Sequence, residues 1–419
     1  MRAIFLYLLI FCWSASVVAQ NQTSFPVGEY WQFQDARTLG MAGSGSISNI
    51  TPGALLENPS ALLLGKSVLE IQVTENIRNL EERRSFPIYN RIDDITQKGI
   101  YAINDHWFSY FQGGVKLRTQ LGGIPVAAAV GVFNEFDLNY RYDEQVRENI
   151  FGDALIAINK IRYEGRVLRY ALGGALQPTE GLRLGFHLGI LKGDLSSERG
   201  IVFLDNSSND VSELKKYYLN NTPLVFNLGV TYDLNPHLRV GSHLKLPYSM
   251  EYRVTSNSSQ TTTMERVEYP FQLTGALEYQ ARQELRARLN IDVTYLWWSK
   301  TESQFQSENF TTLNFDDAFV IKTGVEHIFH NKIPFRVGVQ FRSAYQNRNS
   351  SRTLLTAGTG FMNTRWRVDV SGGVSNLTYT FPDLFDDTLY GGDRSQSPID
   401  DVEEHYFFGM LTLTLNLGK

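Results

Sequence analysis

Residues 285–297, LRARLNIDVTYLW, predict the fold because apolar and polar residues alternate along almost the whole stretch. Seven apolar side chains share one face, while the intervening positions carry charged or polar groups. A period of two indicates a β-strand with one apolar and one polar face. The apolar positions are Leu285, Ala287, Leu289, Ile291, Val293, Tyr295 and Trp297.

The same alternation recurs along the chain from about residue 67 to the end. In the last stretch, Leu411, Leu413 and Leu415 share one face, and Thr412 and Thr414 share the other. Segments of this kind predict about fourteen strands. Their expected bounds are 67–78, 106–118, 124–141, 161–177, 181–193, 222–234, 237–254, 263–281, 284–300, 316–330, 333–347, 350–362, 364–381 and 403–417.

The connections between these segments are alternately short and long. Turn residues fill the short ones, as at 119–123 and 235–236. The pattern predicts an all-β fold, a transmembrane antiparallel up-and-down β-barrel spanning residues 67–419, with turns at one end and loops at the other. The predicted loops are 79–105, 142–160, 194–221, 301–315 and 382–402.

The charges on the polar strand faces argue against a soluble β-protein. Sandwich strands are usually about five or six residues long, and the chain shows no propeller repeat. Arg286, Asp292 and Arg336 would each cost several kcal/mol if buried unpaired in a dry core. We therefore expect the polar faces to line a watery lumen and the apolar faces to contact lipid.

Aromatic residues near the predicted strand ends are expected to form a girdle at the lipid headgroups, with ordinary cross-strand pairing as the alternative. These residues are Tyr248, Trp297, Trp298, Phe361 and Trp366.

Composition excludes several other classes of protein. The 419 residues include 26 Phe, 21 Tyr and 6 Trp, an aromatic content too high for a disordered chain. A single cysteine excludes a disulfide scaffold and a zinc ribbon. A net charge of −5 argues against a nucleic-acid partner. The seven histidines are dispersed and no catalytic spacing is recognisable, so we expect no enzyme activity, cofactor or metal.

The first residues have the pattern of an export signal. Arg2 precedes the apolar run from Ala3 to Trp13, and small residues follow up to Ala19. This arrangement predicts a signal peptide over residues 1–19, too short to span a bilayer. Its removal would also remove Cys12, the only cysteine.

Residues 20–66 lack strand alternation and carry turn and helix signals instead, which predicts a segment that occupies the barrel lumen. Within it, the stretch 36–43, ARTLGMAG, is followed by ENPSAL at 57–62. Together they resemble the amino-terminal hatch of the FadL/TodX family of outer-membrane transporters of hydrophobic compounds. Looser similarity at 227–250, 292–300 and 333–341 extends the resemblance over most of the mature chain. Ser60 departs from the alanine usual in that family.

The resemblance implies a hatch, or plug, that gates the passage of a ligand, which then leaves sideways through a gap in the wall. The expected gating residues are Gly40, Gly43, Asn58, Pro59 and Ser60. Aromatic residues near the first external loop are candidates for ligand binding, with girdle or loop packing as the alternative. These candidates are Phe86, Tyr89, Trp107 and Phe108.

Uptake of a hydrophobic small molecule, of the long-chain fatty acid or hydrocarbon type, is the leading functional hypothesis. The expected location is the bacterial outer membrane, with membrane lipid and lipopolysaccharide as surroundings. The alternative is a PorV-like barrel that acts as a shuttle or anchor with a protein-secretion machine as its partner. Partner co-purification would separate the two hypotheses.

Overall fold

The structure is a computed structural model. It describes most of the chain between residues 27 and 418. The predicted signal peptide lies outside the described residues, as do the side chains of residues 87–89 and 95–98. The described residues are 27, 33–89, 95–147, 154–204, 210–258, 262–281, 287–302, 315–330, 332–345, 351–385, 390 and 399–418.

Nineteen β-segments dominate the described part of the chain. The first nine are β1 (Leu69–Tyr89), β2 (Ile95–Leu121), β3 (Ile124–Asp137), β4 (Tyr140–Arg147), β5 (Leu155–Thr179), β6 (Leu182–Lys192), β7 (Asp194–Phe203), β8 (Val211–Leu219) and β9 (Leu224–Asn235). The others are β10 (Leu238–Lys245), β11 (Tyr248–Ser256), β12 (Thr262–Tyr269), β13 (Gln272–Gln280), β14 (Ala287–Leu296), β15 (Ala318–Phe329), β16 (Ile333–Arg342), β17 (Arg352–Met362), β18 (Trp366–Pro382) and β19 (Ile399–Leu417).

The segments form fourteen barrel strands, because five strands are built from two consecutive segments each. The composite strands are β3 with β4, β6 with β7, β8 with β9, β10 with β11, and β12 with β13; each pair lies along the same neighbouring strand. All strand pairs are antiparallel, and β1 closes the barrel by pairing with β19 from Leu69↔Leu417 onward. The predicted fold and strand number are confirmed.

The two faces of each strand differ as predicted. In β16, Val337 is 58% exposed on the outer surface, whereas the inward Arg336 is 2% exposed. The pattern repeats around the barrel, which gives it an apolar outer belt. Such a surface suits a hydrocarbon environment, and the pairing of β1 with β19 leaves neither terminal strand with a free edge facing lipid.

Short turns close one end of the barrel. Between β2 and β3, Gly122 and Gly123 both have positive φ, which a tight two-residue hairpin requires and glycine adopts without strain. At the opposite end the strands are longer than predicted, and much of the predicted loops 79–105, 142–160 and 194–221 is strand. The prediction was wrong there because the outward residues are polar, as at Glu81 and Arg83, so hydropathy alternation disappears while strand pairing continues.

Helical structure in the described residues is confined to short pieces. These are α1 (Ala36–Gly40) and three 3₁₀ turns, Pro52–Leu55, Pro59–Leu63 and Trp298–Lys300. Among the described residues, no helix is long and apolar enough to cross a membrane.

The outer belt gives a stability prediction. Replacing Val337 with Arg in the middle of β16 should reduce the free energy of folding into a bilayer by about 2–4 kcal/mol, because the charge would face hydrocarbon. The same substitution at Val211, also exposed but at the outer end of β8, should cost much less. Urea unfolding in lipid vesicles measures the loss of folding free energy in each variant. Equal losses at the two positions would contradict the assignment of the belt to lipid.

Candidate functional site

Residues 33–66, here called the inner segment, lie inside the barrel. Its helix α1 packs against β16 to β19, its first 3₁₀ turn against β1, β2, β3 and β5, and its second against β3, β5, β6 and β9. Almost all of its residues are buried. The segment therefore fills the lumen at this level and contacts strands around most of the circumference.

Short polar side chains hold the inner segment in its folded shape. Asp35 accepts hydrogen bonds from the Thr38 backbone N–H and the Thr51 hydroxyl, both at 2.7 Å. This carboxylate therefore caps α1 and ties it to the residue that caps the first 3₁₀ turn. The Asn58 side chain caps the second turn by accepting from the Ser60 N–H at 3.1 Å. Asp, Thr and Asn suit these positions because their oxygens satisfy N–H groups that a helix start leaves free.

A buried ion network attaches α1 to the barrel. The Arg37 guanidinium donates to both carboxylate oxygens of Glu326 on β15, each at 3.0 Å. Glu326 also accepts from Arg336 at 2.7 Å, and Arg336 pairs with Asp369 at 2.7 Å. All four side chains are almost fully buried. Paired in this way, the ions avoid the several kcal/mol that an isolated buried charge would cost.

A second attachment uses backbone donors of the inner segment. The N–H groups of Gly45 and Ser46 each donate to an Asp292 carboxylate oxygen at 3.0 Å. Asp292 lies on the inward face of β14, as the sequence predicted. The expectation that such charges line a watery lumen was wrong at this level, because the inner segment supplies their partners and excludes solvent.

Close backbone contact explains several inward-facing glycines. A Cβ on Gly185 would lie 2.3 Å from the Ser60 nitrogen, and one on Gly338 would lie 2.3 Å from the Met41 carbonyl carbon. Larger residues at these strand positions would push the inner segment away from the wall. The glycines therefore form part of the socket in which the inner segment sits.

An internal cavity of about 100 Å³ lies between the inner segment and the outer half of the lumen. One part of its wall is apolar, and another carries basic and acidic groups. Its volume is several times the roughly 10–15 Å³ that one water molecule requires. The apolar lining comprises Leu56, Leu296, Trp298, Ala318, Val320 and Tyr345; the charged lining comprises Glu57, Lys245, Asp292, Lys322 and Arg342.

Lys322 and Lys245, the two lysines that line the cavity, differ in their carboxylate partners. Lys245 pairs with Glu135 at 3.0 Å, whereas Lys322 has no carboxylate within 4.0 Å among the described residues. Its side chain lies close to Gly43, where an added Cβ would be 3.4 Å from the Lys322 Nζ. A cation beside an apolar wall can bind the acidic head of an amphiphile while the wall contacts its tail.

The wall of the barrel is interrupted between β2 and β3. Their ladder ends at Gly113↔Val132, and β3 has an irregularity between Asn134 and Phe136. Beyond this point β4 pairs with β5, and no ladder joins it to β2 among the described residues. Side chains bridge the interruption: Gln112 accepts from the Asn134 N–H at 3.2 Å, and Asn104 accepts from the Asp143 N–H at 2.8 Å.

Comparison with known proteins gives strong matches in structure. A Pseudomonas aeruginosa FadL homologue superposes with a TM-score of 0.64, at 13% identity over 93% of this chain and 99% of that one. The P. putida toluene transporter TodX gives 0.61, at 13% identity over 93% and 99%. The Ralstonia pickettii toluene transporter TbuX gives 0.61, at 15% identity over 92% and 98%. No family model and no curated protein sequence matches the chain.

The chain has the FadL fold. This result confirms the resemblance to the FadL/TodX family at the level of the fold. The outer apolar belt and closed FadL-type barrel also agree with the predicted outer-membrane location.

The residues predicted for the hatch all belong to the inner segment. Gly40 ends α1, and a Cβ there would lie 2.7 Å from the Ser371 hydroxyl. Pro59 begins the second 3₁₀ turn, and the Ser60 hydroxyl donates to Asn58 at 2.7 Å. The Asn58 amide also donates to the carbonyl of Ser242, at 3.3 Å. Their role in gating stays a prediction.

The four aromatic candidates for ligand binding do not form one site. Trp107 is 61% exposed on the outer face of β2, beside Phe407. Phe86 is also exposed and stacks on Tyr101 at 6.1 Å, whereas Phe108 lies under the Arg78 guanidinium. The side chain of Tyr89 lies outside the described residues. None of the three described side chains lines the cavity, and their role in binding remains untested.

The expected aromatic girdle requires a correction. Phe361 and Trp366 are exposed and lie 5.4 Å apart, as a girdle requires. Tyr248 and Trp298 are buried, however, and Trp298 stacks on Tyr345 at 4.3 Å beside the cavity. Trp298 lies beyond the end of β14 and begins a 3₁₀ turn, so its ring packs inside the barrel and does not continue the lipid-facing side of the strand.

Glu57 should make the stability of the protein depend on pH. Burial raises the pKa of this carboxyl group to about 8, with a further increase from the nearby Asp35, while Asn49 donates to it at 3.0 Å. A carboxyl pKa that is higher in the folded protein destabilises it as the group ionises. The loss of stability therefore extends from about pH 4.5, the ordinary value, to about pH 8.

Replacing Glu57 with Gln should remove this dependence. We expect equal unfolding midpoints for wild type and E57Q near pH 4.5, and a progressively less stable wild type up to pH 8. Urea unfolding of the detergent-solubilised barrel measures the difference. E180Q, which removes a charge from an exposed turn, is the control. A pH-independent difference between wild type and E57Q would refute the assignment.

Replacing Asn58 with Ala should change permeability more than the melting temperature of the barrel. The substitution removes a cap and two contacts with wall carbonyls, while the strand ladders remain intact. T51A is a matched control, since Thr51 caps the first 3₁₀ turn with partners inside the inner segment. Solute flux in vesicles and thermal melting are compared. Unchanged flux with a lower melting temperature would show a structural role only.

Proposed function

We propose that this chain takes up hydrophobic small molecules, of the long-chain fatty acid or hydrocarbon type, through a barrel closed by the inner segment. The observation that carries the proposal is the cavity, where an apolar wall meets Lys322, a lysine with no carboxylate partner among the described residues. An apolar solute crossing a polar cell surface needs a sheltered path, and the cavity beside the inner segment offers the beginning of one. The inner segment then acts as the hatch.

Among hydrophobic compounds, the charges favour an amphiphile with an acidic head. Asp292 is already engaged by two backbone N–H groups, and Glu57 is largely protonated below about pH 8. Lys322 is thus available to a carboxylate, and a charge-assisted hydrogen bond contributes about 1.5–3 kcal/mol. Trp298, Val320 and Tyr345 would contact the tail.

The interruption between β2 and β3 supports a sideways exit. The side chains of Gln112 and Asn104 satisfy backbone groups here without a continuous ladder. Separating the strands at this point therefore costs less free energy than separating two strands joined by a ladder. A molecule leaving there would remain near the apolar belt throughout its passage.

The names of the similar structures agree with a transport role. TodX and TbuX are described as toluene transporters, and CymD, with a TM-score of 0.57, as a monoaromatic hydrocarbon channel. These proteins are channels and transporters, which is consistent with our prediction that the chain is not an enzyme. They do not favour the secretion-complex alternative.

Uptake by whole cells tests the proposal. A strain that lacks the chain should accumulate radiolabelled oleate or hexadecane more slowly, and the wild-type gene should restore the rate. No defect for either compound would overturn the proposal.

Replacing Lys322 with Met separates the two classes of substrate. Oleate uptake should fall about tenfold, the equivalent of about 1.4 kcal/mol, while hexadecane uptake persists. K192M, which removes an exposed lysine at the end of β6, is the control. An equal fall for both compounds would contradict a role for Lys322 in binding the acidic head.

A further inference from the structure

One carboxyl group faces the lipid side of the barrel. Glu75 lies in β1 between Thr74 and Asn76, whose side chains are buried in the lumen. Because consecutive side chains of a strand point to opposite faces, Glu75 points outward. Val73 and Ile77, the next residues on the same face, are 51% and 38% exposed and belong to the outer belt. Glu75 therefore places an ionisable group within an otherwise apolar surface.

The neighbouring strands surround Glu75 with uncharged residues. Leu411 of β19 lies opposite it on one side, and Phe111 of β2 on the other. The nearest outward titratable groups on these two strands are Asp105 and His405, which lie opposite Glu81, six residues farther along β1. The described outward residues level with 71–77 are Ser109, Phe111, Gly113 and Val115 on β2, Gly409, Leu411, Leu413 and Leu415 on β19, and Trp366, Val368, Val370 and Gly372 on β18.

Glu75 also lies well below the membrane interface. Asn79, four residues farther along β1, lies opposite Trp107 and Phe407, whose outward rings are 6.0 Å apart. Aromatic residues of this kind mark the level of the lipid headgroups. At about 3.3 Å per residue and a strand tilt of about 40°, Glu75 is about 10 Å deeper. A polar group at this depth needs a hydrogen-bond partner, and ionisable residues within a membrane mark functional sites.

The described part of the chain does not supply that partner. None of its residues forms a hydrogen bond or an ion pair with the Glu75 side chain. The partner must therefore come from outside these residues. A neutral carboxyl group has one O–H donor and a carbonyl acceptor, so two carboxyl groups satisfy each other through two hydrogen bonds.

The geometry of a membrane favours a second copy of this chain as the partner. Two copies inserted in the same direction are related by a two-fold axis only if the axis runs along the membrane normal. Such an axis keeps every residue at its own depth, so a residue near the axis meets its own copy. A different protein would have to place a donor at the same depth independently, and a saturated acyl chain has no donor to offer.

The surface on either side of Glu75 has complementary shapes. Phe111, 65% exposed, projects on the β2 side, whereas Gly409 on the β19 side has no side chain. A two-fold axis through Glu75 brings the β2 side of one copy against the β19 side of the other. Each Phe111 ring would then face Gly409 of the other copy. Small residues let membrane-spanning elements approach closely, and a two-fold interface must be self-complementary in this way.

We propose that Glu75 is the centre of a symmetric dimer interface, in which the carboxyl groups of two copies of this chain bind each other within the membrane. The outward faces of β1, β2 and β19 form the interface. Pairing gives each carboxyl group the hydrogen bonds that it lacks in a single barrel, and this difference favours the dimer. The proposal goes beyond the proposed function and is independent of it, because the interface requires no ligand in the lumen.

Energy transfer between donor-labelled and acceptor-labelled copies in phosphatidylcholine vesicles tests the interface. The labels are attached at E180C, in an exposed turn, in a chain that also carries C12S and therefore has no other cysteine. Copies that retain Glu75 should associate without any ligand. E75L should weaken the association about tenfold, since it removes both hydrogen bonds. T359L, which also places leucine at a polar outward position but on β17, is the matched control and should associate normally.

A charge exchange tests whether position 75 meets its own copy. E75K alone should not associate, because two ammonium groups would face each other. An equal mixture of E75K copies and copies that retain Glu75 should form mixed dimers, because an ammonium group then meets a carboxylate. Failure of this mixture to associate would overturn the two-fold contact, provided that E75K forms the heat-resistant folded barrel. If E75K does not fold, the comparison between E75L and T359L decides.

The melting temperature separates association from folding. E75L should melt no lower than the chain with Glu75, because leucine suits a lipid-facing position. Equal association of E75L and the chain with Glu75 would overturn the interface, as would a monomeric chain with Glu75 at every protein-to-lipid ratio. A monomer that retains an amphiphile during purification, when E75L does not, would show that Glu75 binds a lipid and would overturn the dimer.

Discussion

The bidentate ion pair between Arg37 and Glu326 is the contact on which the arrangement of the lumen depends. A barrel of fourteen strands turns many polar side chains inward, and its interior cannot be closed unless those groups find partners. Arg37 brings one positive charge from the inner segment to a carboxylate that also binds Arg336. Removing the inner segment as a unit would break this network and release Asp292 from its two backbone donors. Opening by local rearrangement preserves these contacts and is energetically easier.

Close packing of the inner segment against the backbone of the strands also holds it in the lumen. The Asn58 oxygen would lie 2.0 Å from a Cβ on Gly229, so the turn at Asn58 and Pro59 packs directly against the backbone of β9. Contacts of this kind tolerate little displacement, because protein interiors lose favourable contacts and open voids when packed elements separate. The inner segment therefore behaves as part of the barrel core over most of its length. The freedom that transport requires must come from the cavity on its outer side and from the weakly paired part of the wall.

The sequence was sufficient to predict the barrel, because lipid on one side and polar groups on the other impose alternation wherever a strand crosses the membrane. The outer ends of β1 and β2 were not predicted as strand, because Glu81 and Arg83 face water there and the alternation of hydropathy ends before the strands do. It also placed Trp298 in the lipid girdle, although this side chain lies inside. Partners distant in sequence, such as Arg37 with Glu326 or Glu135 with Lys245, leave no local pattern. In the sequence, Lys322 resembles every other inward-facing charge, and only the packing of the described residues sets it apart, because none of their carboxylates pairs with it.

The interruption between β2 and β3 reconciles a stable barrel with a wall that can open. Where two strands share a long ladder, as β1 and β2 or β14 and β15 do, separating them would expose many backbone groups to lipid at several kcal/mol each. Beyond Gly113 and Val132, single side-chain bonds from Gln112 and Asn104 replace that ladder. A net hydrogen bond of this kind contributes only about 1 kcal/mol, and water or a ligand can replace it. Separating β2 from this part of the wall therefore costs less free energy than separating two strands joined by a ladder, so the wall can open here while the neighbouring strands stay paired.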